Sequence, residues 1–300
     1  MQAAPGTIIA GQRQVWSLPR LLSCIRFGEV LVLEGSPLLG AVFSMGHLTA
    51  EKAVAIVLLA AGNACLVAHV FVLNDWSGMN TDLLDPNRMS GVFTNRGIGR
   101  AWIGSLWMTL LALSLLLLSP LGSRTLTIAL AIAGLSALYS APGVHIKGIP
   151  IANSALHFAG GLLHFLLGYS VFSAVDGRGL VLGCFFALTF VAGHLTHETR
   201  DSEGDLINGI RTNAVTFGKA RSFAASVVLF MIADVLLIVL AVSDTAPRPL
   251  FLIAAFLPLH LFWSFQAWRA GLTFESVRRL QVRYRAIYAA IGLITALTML

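Results

Sequence analysis

Acidic side chains are concentrated in two short segments of this chain, residues 74–85 and 198–205. The seven carboxylates in these segments are half of the fourteen that the sequence contains. They are Asp75, Asp82, Asp85, Glu198, Asp201, Glu203 and Asp205. Carboxylates this close together repel one another unless a cation lies between them, and hard oxygen ligands suit magnesium that carries a phosphate group. The two segments therefore predict a site for a magnesium-bound phosphate ester.

Within each segment several residues recur at the spacing of one helix face. The positions that share this spacing are Asn74, Gly78 and Asp82, with Asp75 beside them, and Asp201 and Asp205. Residues four apart lie on the same face of an α-helix. Two helix ends that meet across a cavity would place these oxygens around one or two magnesium ions and a diphosphate.

The elements that must position these residues are predicted to be membrane-spanning helices. The chain is 57% hydrophobic, 11% charged and has a mean hydropathy of +0.81, whereas an ordinary soluble domain carries about 25% charged residues. We therefore predict an all-α, polytopic membrane protein. A span needs roughly 20 apolar residues, and nine runs approach that length: 28–46, 52–73, 101–119, 125–140, 151–172, 180–197, 220–243, 250–268 and 284–300.

The distribution of positive charge predicts the orientation of these nine spans. If residues 1–27 are cytoplasmic, sixteen of the twenty Lys and Arg residues fall on the inner side, and only Lys52, Arg124, Arg178 and Arg248 lie outside. Because cytoplasmic loops are enriched in Lys and Arg, both acidic segments are predicted to be cytoplasmic, in a protein of the bacterial inner membrane. The net charge of +6 then reflects topology and anionic lipid, and nothing favours nucleic-acid binding.

The chain is predicted to form one domain over residues 1–300. The acidic segments follow the second and sixth apolar runs, which suggests two halves of four helices each. Residues 271–285 combine apolar positions with four arginines, a pattern typical of an amphipathic helix at an anionic membrane surface. Such segments would cap the bundle on the cytoplasmic side. The three cysteines are widely spaced and indicate neither a disulfide framework nor a zinc site.

These motifs together resemble those of the UbiA-type intramembrane prenyltransferases. That family has a first motif Asn-Asp-x-x-Asp-x-x-x-Asp and a second motif Asp-x-x-x-Asp. The corresponding residues here are Asn74-Asp75-x-x-Gly78-x-x-x-Asp82 and Asp201-x-x-x-Asp205, followed by Asn208-Gly209-Ile210-Arg211-Thr212 and Phe217-Gly218, with Tyr139-Ser140-x-Pro142 and Lys147 between the motifs. The resemblance covers essentially the whole membrane region.

The chain departs from the family pattern at the middle of the first motif. Gly78 stands where the family has an aspartate, and the stretch that follows is reduced to Thr94-Asn95-Arg96-Gly97. The missing ligand leaves three readings open: a weaker magnesium site, a ligand supplied by Asp85 or Asn80, or an inactive or repurposed branch of the family.

The resemblance implies transfer of a prenyl group from an isoprenoid diphosphate to an acceptor within the bilayer, with Mg²⁺ as cofactor. The implied metal ligands are Asn74, Asp75, Asp82, Asp85, Asp201 and Asp205. The implied phosphate-binding residues are Lys147, Arg88 and Arg211, and the ring of Tyr139 would face the allylic cation. The bilayer-buried tail of the donor would lie among apolar helices.

The acceptor is the least constrained part of this hypothesis. An aromatic or quinone-precursor ring is preferred as acceptor to a lipid or a sugar phosphate. Two alternatives to the enzyme function itself are a cation transporter and a non-catalytic member of the family. Polar residues within spans are costly and therefore functional candidates; among them Glu34 is the acceptor-pocket candidate. His157 and His164 are seven residues apart on one helix face, where they would line the acceptor cavity or hydrogen-bond between helices.

Overall fold

The computed structural model describes residues 18–83, 89, 92–140 and 146–299, and all regular structure within these ranges is helical. The α-helices in chain order are α1 (Leu18–Leu22), α2 (Phe27–Met45), α3 (Ala50–Asp82), α4 (Arg100–Leu118), α5 (Ser123–Ser140), α6 (Ala152–Phe172), α7 (Gly177–Ile207), α8 (Asn213–Phe217), α9 (Lys219–Val242), α10 (Ile253–Arg269) and α11 (Phe274–Met299). Each of the nine apolar runs coincides with one of the longer helices.

Seven of the described helices are long and apolar enough to cross a membrane, so the predicted count of nine is not confirmed. The seven are α2, α3, α4, α6, α7, α9 and α10, the last extended by its preceding 3₁₀ turn. Helix α5 is only 18 residues long and begins with polar residues around Arg124. Helix α11 carries four arginines in its first half, which lowers its mean hydropathy.

The segment predicted to lie on the membrane surface, 271–285, is mostly the first half of α11. Its apolar residues Val277, Leu280 and Tyr284 are buried in the protein core, while Arg278 and Arg279 are exposed. The apolar face of this amphipathic segment is therefore covered by the bundle.

Helices α2 and α6 approach each other closely because glycines face the partner backbone. A Cβ atom at Gly168 would fall 1.7 Å from the backbone oxygen of Pro37, and one at Gly40 would fall 2.3 Å from that of Phe165. Small residues at helix contacts are the usual device for close packing in membranes, where van der Waals contact replaces the hydrophobic effect. This contact fixes α6, which carries part of the site, against α2.

We expect the Gly168→Ala variant to be less stable than the parent protein by about 1–3 kcal/mol, because the new methyl group forces two backbones apart. The measurement is thermal unfolding in detergent. Gly134→Ala on α5 is the matched control, since a Cβ at that position meets open space. Equal unfolding temperatures for the two variants would contradict the close-packing interpretation.

The two acidic motifs lie at the C-terminal ends of the two longest helices, α3 with 33 residues and α7 with 31. At 1.5 Å per residue these helices are about 50 and 46 Å long, which exceeds the roughly 30 Å of bilayer hydrocarbon. We therefore expect their final turns, which carry the polar motifs, to extend beyond the apolar layer. Both motifs are helical, as the four-residue spacing predicts.

The segment after the second motif ends α7 and begins α8. Gly209 has φ +67°, a left-handed conformation that glycine adopts without strain. The backbone N–H of Ile210 then donates to the carbonyl of Asp205 at 2.9 Å. The side chain of Thr212 caps α8 by accepting from the N–H of Val215. The chain thus turns back beside the second motif.

Candidate functional site

One large cavity, about 1130 Å³ in volume, lies between the helices and reaches both acidic motifs. Its polar end is lined by seven of the residues singled out from the sequence: Asn74, Asp75, Asp82, Tyr139, Lys147, Asp201 and Asp205. Its walls are otherwise largely apolar, with Leu237, Leu250 and Ile253 among them. The structure therefore brings together two motifs that are separated by more than a hundred residues in sequence.

The first motif is held by residues from α5 and from the turn before α2. Arg26 makes a bidentate contact with Asp75, in which its Nε donates to Oδ2 at 3.1 Å and its Nη2 donates to Oδ1. The Ser140 hydroxyl donates to Asn74 Oδ1 at 3.4 Å. These contacts join the entry of α2 and the end of α5 to the motif on α3.

The second motif has a corresponding arginine. Arg200 makes a bidentate contact with Asp201, with Nε to Oδ1 at 2.6 Å and Nη2 to Oδ2 at 3.0 Å. Its Nη1 also donates to Gln281 on α11 at 2.8 Å. Asp205, one turn further along α7, is buried. Each motif thus has one carboxylate paired with a guanidinium group at the cavity.

The donor set suits magnesium bound together with a diphosphate. Among the described residues, no three His, Cys, Asp or Glu side chains converge closely enough to hold a metal by themselves. Magnesium is often bound by one or two carboxylates plus substrate phosphates, with water completing the shell. One amide and four carboxylates around a single cavity meet that requirement, because the phosphates supply the remaining oxygens.

A buried carboxylate organises the cavity wall next to the second motif. Glu198 Oε1 accepts from Asn153 Nδ2 at 2.8 Å, and Oε2 accepts from both the backbone N–H and the side-chain amide of Asn213, at 3.1 and 3.0 Å. Asn153 also donates to the carbonyl of Lys147 at 3.1 Å. Glu198 therefore ties α6, α7 and α8 together and fixes the turn that carries Lys147.

The backbone between Lys147 and α6 is strained, and the same network supports it. Ile151 has φ +67°, which is an outlier for a β-branched residue. Its N–H donates to Asn213 Oδ1 at 2.9 Å. A strained residue persists where its surroundings determine its conformation, and here Asn213 provides that constraint.

Aromatic rings lie beside the polar end of the cavity. The ring of Tyr139 meets His157 edge-on with centroids 5.2 Å apart, and His157 stacks on His194 at 3.5 Å. His194 Nε2 lies 3.0 Å from Glu198 Oε1, although the contact falls outside hydrogen-bond geometry. All four side chains line the cavity.

Two predicted substrate-binding residues do not reach this cavity in the structure. Arg211 is exposed and is not among the residues that line it. Glu34 faces α3, where its Oε1 accepts from Asn63 Nδ2 at 2.9 Å, and it also lies outside the lining. Asp85 and Arg88 lie outside the described residues, so their predicted roles as metal ligand and phosphate-binding residue stay predictions.

Three arginines at the site were not predicted as site residues. Arg26 and Arg200 pair with the motif carboxylates, and Arg285 on α11 donates to Glu29 at 3.2 Å and to His197 Nε2 at 2.6 Å. In the sequence all three count as cytoplasmic positive charges, and Arg285 also lies in the amphipathic segment 271–285. The only local signal is the position of Arg200 immediately before Asp201.

The thiol of Cys24 lies at the rim of the cavity near Arg26. Burial raises the pKa of Cys24 above its usual value, although the nearby charge of Arg96 opposes that change. Arg96 is fixed by donating to the carbonyl of Ser23 at 3.2 Å. The rim thus holds several positive groups outside the two acidic motifs.

Several solved structures share this fold, and three of them illustrate the likeness. A UbiA homologue from Archaeoglobus fulgidus bound to GPP and Mg²⁺ has a TM-score of 0.72 and 18% identity, over 92% of this chain and 99% of that one. The apo UbiA homologue from Aeropyrum pernix K1 has a TM-score of 0.74 and 17% identity, over 92% and 100%. A digeranylgeranylglyceryl phosphate synthase has a TM-score of 0.68 and 20% identity, over 94% and 97%.

At these identities the structural likeness shows the fold alone. No curated protein sequence matches the chain. The sequence model of the UbiA prenyltransferase family matches residues 36–274, a range that contains both acidic motifs, Tyr139 and Lys147. Because this match covers most of the chain, the protein is a member of the UbiA prenyltransferase family.

Proposed function

We propose that this protein transfers a prenyl group from an isoprenoid diphosphate to an acceptor within the bilayer, with Mg²⁺ as cofactor. The observation that carries the proposal is the single cavity that joins both acidic motifs to an apolar interior. A diphosphate and its metal fit the polar end, and an isoprenoid chain fits the apolar walls. The bound GPP and Mg²⁺ of the Archaeoglobus fulgidus homologue support the same assignment.

The residues that would hold the metal and its diphosphate are Asn74, Asp75, Asp82, Asp201 and Asp205. When bound, the metal stabilises the negative charge that develops on the leaving diphosphate. Lys147 would contact the phosphates from the turn before α6, and Arg26 and Arg200 add positive charge at the same end of the cavity. Asp85 or Asn80 would supply the ligand that Gly78 lacks, and Arg88 and Arg211 remain proposed phosphate contacts.

Tyr139 would stabilise the allylic cation with its π-face, since it lines the same cavity as Lys147 and meets His157 of α6 edge-on. The apolar interior would exclude water from the cation once the diphosphate has left. Glu34 remains a proposed acceptor contact, which would require a different side-chain orientation from the one that pairs with Asn63.

We also propose that α5 and α11 complete a bundle of nine membrane helices in a single domain of residues 1–300. The motif-bearing ends of α3 and α7 line one cavity, which supports the placement of both motifs on one side of the membrane. The sixteen-to-four division of positive charge supports a cytoplasmic side, with the N-terminus inside a bacterial inner membrane. Cysteine labelling at positions 82 and 205 tests this orientation, and periplasmic exposure of either position would overturn it.

The function is tested by supplying radiolabelled geranyl, farnesyl and geranylgeranyl diphosphates to the protein in nanodiscs with a bacterial lipid extract. We expect a labelled, extractable product that forms with Mg²⁺ and disappears with EDTA, because the diphosphate leaves only when its charge is compensated. Absence of product with all three donors, or a product that EDTA does not affect, would contradict the proposal.

A further inference from the structure

The two arginines that pair with the acidic motifs differ in how firmly they are held. We refer to Arg26–Asp75 as the first motif pair and to Arg200–Asp201 as the second motif pair. In both pairs the guanidinium group donates to both oxygens of the carboxylate. A magnesium ion that binds either carboxylate must come close to the guanidinium charge and is repelled by it. Guanidinium and metal therefore compete for the same negative charge.

Arg200 in the second motif pair is held on several sides. Its Nη1 donates to Gln281 of α11 at 2.8 Å, and its guanidinium group lies 5.4 Å from the centroid of the Phe274 ring. The side chain is only 20% exposed. These contacts tie α7 to α11 and keep Arg200 beside Asp201.

Arg26 in the first motif pair is held by fewer contacts. Its side chain is 44% exposed, and among the described residues it contacts Asp75 and, at 5.8 Å, the ring of Phe71. Its backbone is fixed, because its carbonyl accepts from the N–H groups of Glu29 and Val30 in the first turn of α2. Movement of Arg26 is therefore confined to its side chain, which lines the cavity.

An exchange of partners at the first motif pair is favourable when a metal and a phosphate arrive together. An ion pair with this exposure contributes little to stability, so its separation costs little. Magnesium prefers carboxylate oxygens, and the planar guanidinium group binds phosphate oxygens in the same bidentate way as a carboxylate. Each cation then keeps an anion beside it, whereas magnesium alone would leave the guanidinium group without one.

We propose that Arg26 is an exchangeable counter-ion: it pairs with Asp75 until a magnesium-bound diphosphate enters the cavity, and its hydrogen bonds then pass to the phosphate oxygens. This inference rests on the proposed prenyl transfer and adds how the donor is recognised. Metal and diphosphate bind together, because the guanidinium charge opposes binding of the metal without diphosphate. Arg200 does not exchange and keeps Asp201 in position.

Binding of Mn²⁺ without diphosphate is the first measurement. Mn²⁺ takes the same oxygen ligands as Mg²⁺, and the electron paramagnetic resonance signal of the free ion reports how much remains unbound. The protein is placed in nanodiscs of phosphatidylcholine, which carries no net charge, so that anionic lipid does not bind the metal. We expect Arg26→Gln to bind Mn²⁺ at least about 3-fold more tightly than the parent, because a positive charge beside Asp75 is removed.

Binding of the unreactive donor analogue geranyl thiodiphosphate is the second measurement. Its affinity is obtained from the concentration dependence of thermal stabilisation at saturating Mg²⁺. Arg26→Gln should bind the analogue at least about 10-fold more weakly than the parent, because charge-assisted hydrogen bonds to phosphate are lost. If this variant does not fold, Arg26→Lys replaces it. Lysine keeps the charge without the bidentate geometry, so smaller changes with the same two signs are expected.

Arg248→Gln is the matched control for these measurements. Arg248 donates through Nε and Nη2 to the two carboxylate oxygens of Asp244, and both residues lie outside the cavity lining. The control therefore removes an arginine from a bidentate ion pair of the same kind. It should bind Mn²⁺ and the analogue as the parent does.

The opposite signs of the two expected changes distinguish exchange from other roles of Arg26. A residue that only supports the fold would weaken both kinds of binding, and a permanent phosphate contact would weaken analogue binding while Mn²⁺ binding stays the same. Either result, or analogue binding that is unchanged or tighter in Arg26→Gln, would overturn the exchange and leave the proposed function standing. If the analogue with Mg²⁺ does not stabilise the parent, the proposed function itself fails, and the exchange fails with it.

Discussion

The Asp205→Asn and Asp82→Asn variants are each expected to lose at least about 100-fold of prenyl transfer while remaining folded in the membrane. Each substitution keeps the side-chain volume and removes one negative charge from the cavity end where both motifs meet. Removing a single group that stabilises developing charge typically lowers the rate by this factor or more. The measurement is the initial rate of labelled product formation as a function of Mg²⁺ concentration, with protein amount normalised.

The Asp244→Asn variant is the matched control for this pair. Asp244 is an exposed carboxylate that pairs with Arg248, and it lies outside the cavity lining. Its substitution should leave the rate and the Mg²⁺ dependence unchanged. Full activity of either motif variant would refute the assignment of these carboxylates to the metal and diphosphate site, even if the protein proves to be an active prenyltransferase.

The second large effect is expected at Glu198, where function and stability are lost together. In the Glu198→Ala variant, Asn153 and Asn213 each keep a buried donor without its partner, and breaking a buried polar network in this way costs about 3 kcal/mol. Because Asn153 also holds the carbonyl of Lys147, the turn that presents Lys147 should move. We expect a lower unfolding temperature and weaker stabilisation by geranyl thiodiphosphate with Mg²⁺.

Comparison with Glu198→Gln separates the effect on stability from the effect on function. Glutamine keeps an oxygen for one asparagine and the volume of the side chain, so most of the stability should return. Glu203→Ala is the control for a charge on the same helix, since Glu203 is exposed and pairs only with Lys219 among the contacts known for it. An unfolding temperature for Glu198→Ala equal to that of Glu203→Ala would show that the Glu198 network is not structural.

Local sequence patterns predicted the elements of this fold better than the contacts between them. The four-residue spacing of Asp201 and Asp205 correctly indicated a helix, and every apolar run is helical. The predicted count of nine spans is not confirmed, because α5 and α11 mix apolar residues with charge. A helix of this kind is stabilised by packing against neighbours, and its hydropathy alone does not reveal that.

For the candidate site, too, local motifs were predictable from the sequence and contacts between distant residues were not. Seven predicted residues line one cavity because family motifs encode them locally. Arg26 and Asp75 are 49 positions apart, and no short pattern links them. Glu34 was selected because a buried carboxylate is costly in lipid. Asn63 on the neighbouring helix donates to its Oε1, whereas its Oε2 is buried without a hydrogen-bond partner among the described residues. The helix contact therefore offsets only part of the cost of burial, and the acceptor role of Glu34 stays a prediction.

The length of α3 and α7 has a consequence for the lipid environment. The nine residues of the first motif, 74–82, continue the helix about 13 Å past its apolar run. If the proposed function holds, the diphosphate end of the cavity is expected to stand above the hydrocarbon layer, while the prenyl chain of the donor remains within that layer. The distance between the diphosphate site and the hydrocarbon layer would then depend on bilayer thickness. Lipids with shorter or longer acyl chains should shift it through hydrophobic mismatch, and so alter which donor lengths are used most efficiently.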